Sequence, residues 1–327
     1  MKTFELYQQW GSLDLAIEAH QLLRGETGRE LPGVKEKVES FDYGKVTTIT
    51  ITDSTGEQLM GRQKGTYITL EVPAIRENNR PLHKEIAEVM AAKLSSLVNL
   101  TPHASVLIVG LGNWRATPDA LGPQVVEHVL VTRHLHRYAP EELREGMRPV
   151  SALAPGVLGI AGVETAEIVK GVVEKTQPDL VIVIDALAAA NINRIGTTIQ
   201  MADTGISPGS GLGQKRAALN KDYLGVPVIA IGVPTVVHAG TIARESITAL
   251  VEALKENEVT ASLYRNANPI LIENIMGEVL AAYSGNLVVT PKEIDELIKN
   301  ISLLLALGIN RALHPAISEE EMALYVN

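Results

Sequence analysis

The chain has 327 residues, no cysteine and a formal charge of −9. That length suits one large or two modest domains, and the missing cysteines exclude disulfides, thiolate metal sites and thiol nucleophiles. The acidic balance argues against direct nucleic-acid binding, which rests on neutralising phosphates, and no apolar run approaches the roughly 20 residues of a membrane helix. The amino terminus MKTFELYQQW lacks a basic-then-apolar signal pattern, so a cytoplasmic location is expected. The first dozen residues carry no anchoring pattern. LDLAIEAHQLL, Leu13 to Leu23, predicts a short amphipathic helix with Asp14 near its start.

From Val34 the pattern turns to alternation. VKEKVESF, a turn at Asp42-Tyr43-Gly44, KVTTITIT and then TYITLEV predict antiparallel strands. Pro81 to Leu97 predicts a helix with Ile86, Val89, Met90, Leu94 and Leu97 on its buried face. The stretch ASVLIVGLGNWRATPDALGPQVVEHVLVTRHL, Ala104 to Leu135, organises the remainder of the chain. It reads as a buried strand (Val106 to Val109), a turn with Gly110, Gly112 and Asn113, a loop carrying Asp119, and a helix from near Pro123 over Gln124 to Leu135. An unalternating apolar strand followed by an apolar-periodic helix is half of a parallel crossover unit.

The same grammar recurs. Pro149 to Gly162 predicts a long Gly/Pro-interrupted loop, and such loops are more often functional than idle. A helix from Thr165 leads to the strand PDLVIVIDA, which places Asp185 where the apolar run stops. Arg194 to Met201 predicts a further strand, and Asp203 to Gly213 a glycine-rich loop. VPVIAIGVPTVV runs to His238, and Thr241 to Lys255 is the next helix. Helices over Asn268 to Tyr283 and Thr290 to Leu307 complete the chain, the last with a capping box from Thr290 and Glu293. The expected fold is α/β, hydrolase- or phosphorylase-like. Its central sheet is mostly parallel and flanked by helices, with an added β-rich amino-terminal section. One domain spans 13–327, comprising the β-rich addition at 34–72, the core sheet and site at 104–257, and a helical part at 268–327.

In open parallel sheets, ligands collect beyond the carboxyl ends of the strands. Three strand ends are thus expected to bring Asp119, Asp185 and His238 to one rim. Each alone reads more readily as a cap or loop contact; their coincidence raises the odds of a site. Other motifs fail on their chemistry. Gly110-Leu111-Gly112 lacks the third glycine of a dinucleotide fingerprint, its place being Arg115. Gly205-Ile206-Ser207-Pro208-Gly209 matches G-x-S-x-G, but Pro208 has no N–H to donate to an oxyanion. Two carboxylates in one cleft can divide labour, because proximity and desolvation push their proton affinities apart. The ionised one activates water, and the protonated one protonates the scissile group. Alternatively, Asp119, Asp185 and His238 hold a divalent ion that activates water. Both routes end in hydrolysis.

GLGN followed by TPDALGP, then RPVSALAPGVLGIAGVETAEIV, IDALAA, DTGISPGSGLG and GVPVIAIGVPTVV, resemble the germination proteases of spore-forming bacteria over nearly the whole chain. The resemblance implies an endopeptidase that degrades small acid-soluble spore proteins in the spore core at germination. It also implies a zymogen, a homotetramer, and catalysis by Asp119 and Asp185 without a cofactor, with Gly112, Asn113, Thr117 and His238 in supporting or substrate-binding places. LDLAIEA is similar to the family's processing region, itself similar to the substrate cleavage sequence, which makes residues 1–12 a propeptide. Two departures stand out. His238 replaces what is commonly an acid, and the Lys255 to Pro269 segment is shorter than in better-known members. GLGN and Asp119 also resemble the hydrogenase-maturation endopeptidases, which bind nickel; this keeps the metal alternative open. A non-catalytic peptide-binding scaffold is the third reading.

Overall fold

β-branched, alternating stretches follow the amino-terminal helix. β1 (Val34–Phe41), β2 (Gly44–Ile51) and β3 (Gly65–Glu71) pair antiparallel in sequence order. The structure, a computed structural model, describes residues 13–27, 29–77, 79–207, 217–255 and 287–323. Downstream lie the strands β4 (Val106–Gly110), β5 (Val150–Leu153), β6 (Leu180–Ala189), β7 (Thr198–Ala202), β8 (Val228–His238) and β9 (Val288–Val289). They join one nine-stranded sheet in the order β1-β2-β3-β7-β8-β6-β4-β5, with β9 on β8.

This sheet is mixed, which corrects the expectation of a mostly parallel one. Parallel pairing is confined to β4 with β5, β4 with β6, and β6 with β8. The pairs β1/β2, β2/β3, β3/β7, β7/β8 and β8/β9 are antiparallel. A fully buried apolar run looks the same in sequence whichever way its neighbour points. Direction is set by the connections. The link from Ala189 to Thr198 holds only a short 3-10 turn (Ile192–Arg194) and no crossover helix, so β7 returns against β8 rather than along it.

The period of two along each strand sorts the layers. Val106 and Ile108 of β4 and Leu180, Ile182 and Ile184 of β6 face one side. There they meet the helices α2 (Arg80–Leu97), α3 (Leu121–His128) and α6 (Ile294–Leu313). Leu107, Val109, Val181 and Val183 face the other side and meet α4 (Thr165–Thr176) through Val169 and Val173. On that second side α1 (Ala16–Thr27) lies over the hairpins, with Leu15 and Ile17 packed against Ile49, Ile51, Met60 and Tyr67. Helix α5 (Ala239–Lys255) follows β8.

Several boundaries differ from expectation. The single helix over Gln124 to Leu135 is two, α3 and a short helix Arg133–Tyr138. The expected loop at Pro149 begins with β5, whose four residues are too few to give a periodic signal. Helix α6 starts at Ile294 without a side-chain cap, because the Thr290 hydroxyl instead donates to the Thr235 carbonyl (2.9 Å). The expected helix over Asn268 to Tyr283 and residues 208–216 of the glycine-rich loop lie outside the described residues.

Candidate active site

Because β4 ends at Gly110, registered with Ile184, β6 and β8 run on past it and leave an open edge. Asp185 is the first residue beyond that edge. It lies inside β6 rather than at its end, buried, with its carboxylate accepting from the Ala186 N–H (2.9 Å). Strand alternation turns it to the face that carries Val181 and Val183, between α1 and α4.

Asp119 reaches the same place through the loop after β4. The Leu111 N–H donates to the Ile184 carbonyl (2.8 Å), which ties the loop to the residue before Asp185. The Asn113 N–H donates to the Asp119 carbonyl (3.0 Å), and the Asn113 side chain accepts from the Arg115 N–H (2.9 Å). Thr117, Pro118 and Asp119 form a 3-10 turn leading into α3. The turn fits because Gly110 and Gly122 touch: a Cβ on Gly110 would stand 2.1 Å from the Gly122 carbonyl oxygen. Strand end and helix start are thereby packed backbone to backbone.

Asp119 and Asp185 line one cleft of about 750 Å3, together with Gly112, Pro118, Gly156, Thr165, Leu187 and Gly232. Thr117 and Asn113 hold the turn through main-chain bonds, the Thr117 carbonyl accepting from the Ala120 N–H (3.0 Å) and the Asn113 carbonyl from the Ala116 N–H (3.0 Å). His238 is not brought in. Asp185 registers with Gly232, and His238 is six residues further along β8, roughly 20 Å away at the rise of a strand. It is buried, pairing with Val288 of β9. The expectation of three strand ends on one rim fails because β6 and β8 both run on well past the end of β4. Among the described residues no group of three or more His, Asp or Glu side chains is placed to hold a metal ion. With His238 remote, Asp119, Asp185 and His238 do not fit a metal.

Sequence reasoning missed the other wall of the cleft. Leu13, Asp14 and Ala19 line it, as do Arg62, Tyr67 and Gln200. The Asp14 carboxylate accepts from the Ala188 N–H (3.0 Å). The Glu18 carboxylate accepts from the Ala190 N–H (3.0 Å) and from the Arg194 guanidinium (3.1 Å). Arg194 is also held by Gln21 and Glu71. Burial pushes the Glu18 carboxyl up from 4.5 to about 7, with Arg194 and the Ala190 amide pulling the other way. The one available signal was a glutamine inside the otherwise apolar end of a strand, Ile199-Gln200-Met201. A buried amide of that kind must be hydrogen-bonded to something.

Comparison with known proteins decides the family. The family model described as "Germination protease" matches residues 14–269 and 271–326. The chain belongs to the germination-protease family. It is 51% identical to the germination protease of Caldanaerobacter subterraneus subsp. tengcongensis over 94% of this chain and 96% of that one. The corresponding enzyme of Clostridium tetani is 44% identical over 96% and 98%, and that of Bacillus subtilis 43% over 95% and 95%. As a germination-protease family member the chain is a hydrolase, an endopeptidase. Among the described residues no helix is long and apolar enough to cross a membrane.

Proposed function

We propose that this endopeptidase cleaves small acid-soluble spore proteins at germination, in the spore core, with Asp119 and Asp185 as its catalytic pair. The ionised carboxylate removes a proton from the attacking water while the other, protonated carboxyl group donates its proton to the leaving amide nitrogen, so no covalent intermediate is needed. The observation that carries the reading is that both aspartates line one cleft, Asp185 on a rigid strand and Asp119 on a turn braced by Gly112 and Asn113. A pair on rigid elements keeps the geometry that proton transfer requires.

The chain is made as a zymogen whose first dozen residues are a propeptide. In support, the LDLAIEA stretch enters the cleft itself: Leu13 and Asp14 line it beside the two aspartates. A homotetramer and a single peptidase domain over 13–327 complete the proposal by family likeness.

The test is mass spectrometry of a small acid-soluble spore protein incubated with the full-length chain and with one beginning at Leu13, each with and without a strong chelator. Cleavage beside acidic-apolar sites, faster in the shortened chain and indifferent to chelator, is expected. Equal rates remove the zymogen, and loss of cleavage with chelator alone removes the two-aspartate mechanism.

A further inference from the structure

Gln200, Gly232 and Asp185 stand on one rung of the sheet. Gly232 of β8 registers with Gln200 of β7 on one side and with Asp185 of β6 on the other. Gln200 points to the same face as Asp185, since its neighbours Ile199 and Met201 belong to the opposite core layer. Two strand spacings, about 10 Å, separate their backbones.

The Gln200 carboxamide makes two bonds, both to main chain. Its Nε2 donates to the Asp14 carbonyl (3.1 Å), and its Oε1 accepts from the Ala16 N–H (2.6 Å). One amide thus holds the carbonyl of one residue and the N–H of the second residue after it, the pattern an adjacent β-strand would supply. Arg62 adds a bond to the Leu13 carbonyl, and the Ala188 amide takes the Asp14 carboxylate (3.0 Å). The stretch Leu13 to Ala16 is therefore tied to β7 at its backbone and to β6 at its side chain, and its Leu13 and Asp14 line the cleft that Asp185 lines. It is not yet helical there, since α1 begins only at Ala16.

We propose that Gln200 is a positioning residue of the peptidase reaction, clasping the main chain of the peptide to be cut, and that its occupant here is the chain's own Asp14–Leu15–Ala16. This rests on the reading of Asp119 and Asp185 as the catalytic pair. A clasp made only to backbone atoms fixes register, meaning which peptide bond faces the acids. It leaves the choice of side chains to other contacts, such as Ala188 for an acid. A purely structural Gln200, by contrast, would anchor α1 and have no say in which bond is cut.

The experiment follows amino-terminal processing of the purified full-length chain by intact mass against time, in the wild type, Gln200→Met, Gln200→Glu and Asp185→Asn. Gln200→Met keeps the shape and removes both bonds; Gln200→Glu keeps the acceptor and removes the donor. The expected result is one dominant cut between Ser12 and Ala16 in the wild type, at or just after the end of the propeptide. In Gln200→Met the cut should slow about tenfold or more and scatter over neighbouring bonds, with Gln200→Glu between the two, as loss of two and of one hydrogen bond implies. Melting midpoints of the variants separate this from unfolding. Cutting at the wild-type bond and rate in both Gln200 variants overturns the clasp, as does a wild-type chain cut only outside Ser12 to Ala16 or not cut at all. Wild-type processing by Asp185→Asn would instead overturn the acid pair, and scattered cuts in Gln200→Met would still support the clasp.

Discussion

Gly112 lies directly against Asp119: a Cβ built on it would stand 1.9 Å from the Asp119 carbonyl oxygen, and its φ is +121°. Both the contact and the conformation exclude a side chain. Gly112→Ala is expected to push the Thr117–Asp119 turn away from β6 and to lower peptidase activity at least about tenfold, since small misplacements of reacting groups are costly. Peptide hydrolysis and a melting curve check this. Full activity with an unchanged melting midpoint would show that the turn does not depend on this contact.

Replacing either acid by its amide keeps shape and removes the proton carrier. Asp119→Asn and Asp185→Asn should each lower kcat by about a thousandfold with the fold intact. Because the two carboxylates act as a unit, the double variant should be little worse than either single one. Hydrolysis of a spore-protein peptide measures it, and a multiplicative loss in the double variant would separate their roles.

Glu18 gives the amino-terminal segment a pH dependence. Its carboxyl is raised from 4.5 to about 7 by burial, so the folded chain holds that proton more tightly than the unfolded chain. The contribution to stability is complete below about pH 4.5 and is lost as pH rises through about 7. Hydrogen exchange over 14–23 should be slower at pH 5 than at pH 8. Glu18→Gln should flatten that difference, by on the order of 3 kcal/mol at most. An unchanged pH dependence in the variant would assign it to another group.

His314 acts with the opposite sign. Burial pushes its imidazole down from 6.5 to about 4, helped by the positive charge of Arg148 and opposed by the Leu130 backbone. Its Nδ1 accepts from the Arg148 N–H (3.3 Å). The unfolded chain takes up the proton first, so this stability is complete above about pH 6.5 and is lost as pH falls through about 4. His314→Leu should cost about 1 kcal/mol at pH 7 through the lost hydrogen bond and lessen the fall in melting midpoint between pH 6.5 and 4. A steeper fall would count against the buried imidazole as its source.

Local patterns were legible where local forces dominate. Alternation in VKEKVESF and KVTTITIT marked β1 and β2, helical spacing marked α2 and α4, and the turn glycines of GLGN marked the sharp exit from β4. The segments that carry Asp119 and Asp185 were legible too, Asp185 because an acid directly after an unbroken apolar run is unusual and Asp119 because it stands in the loop that leaves such a run. His238 shows the limit of that reasoning: a strand's end is not its neighbour's end, and β8 continues past the edge of β4.

What the sequence determined by itself is the longer elements and the family, since both rest on residue order and on the hydrophobic period; the four-residue β5 and the short helix Arg133–Tyr138 came only with the structure. Tertiary structure alone decided strand direction, the depth of Asp185 within β6, and the entry of Asp14 into the cleft. Each depends on contacts between residues far apart in the chain, such as Gln200 with Asp14 and Ala16. A glutamine's hydrogen bonds are satisfied equally well by many partners, so no local pattern reveals which backbone it will hold; the packing of α1 over β2 and β7 makes that choice.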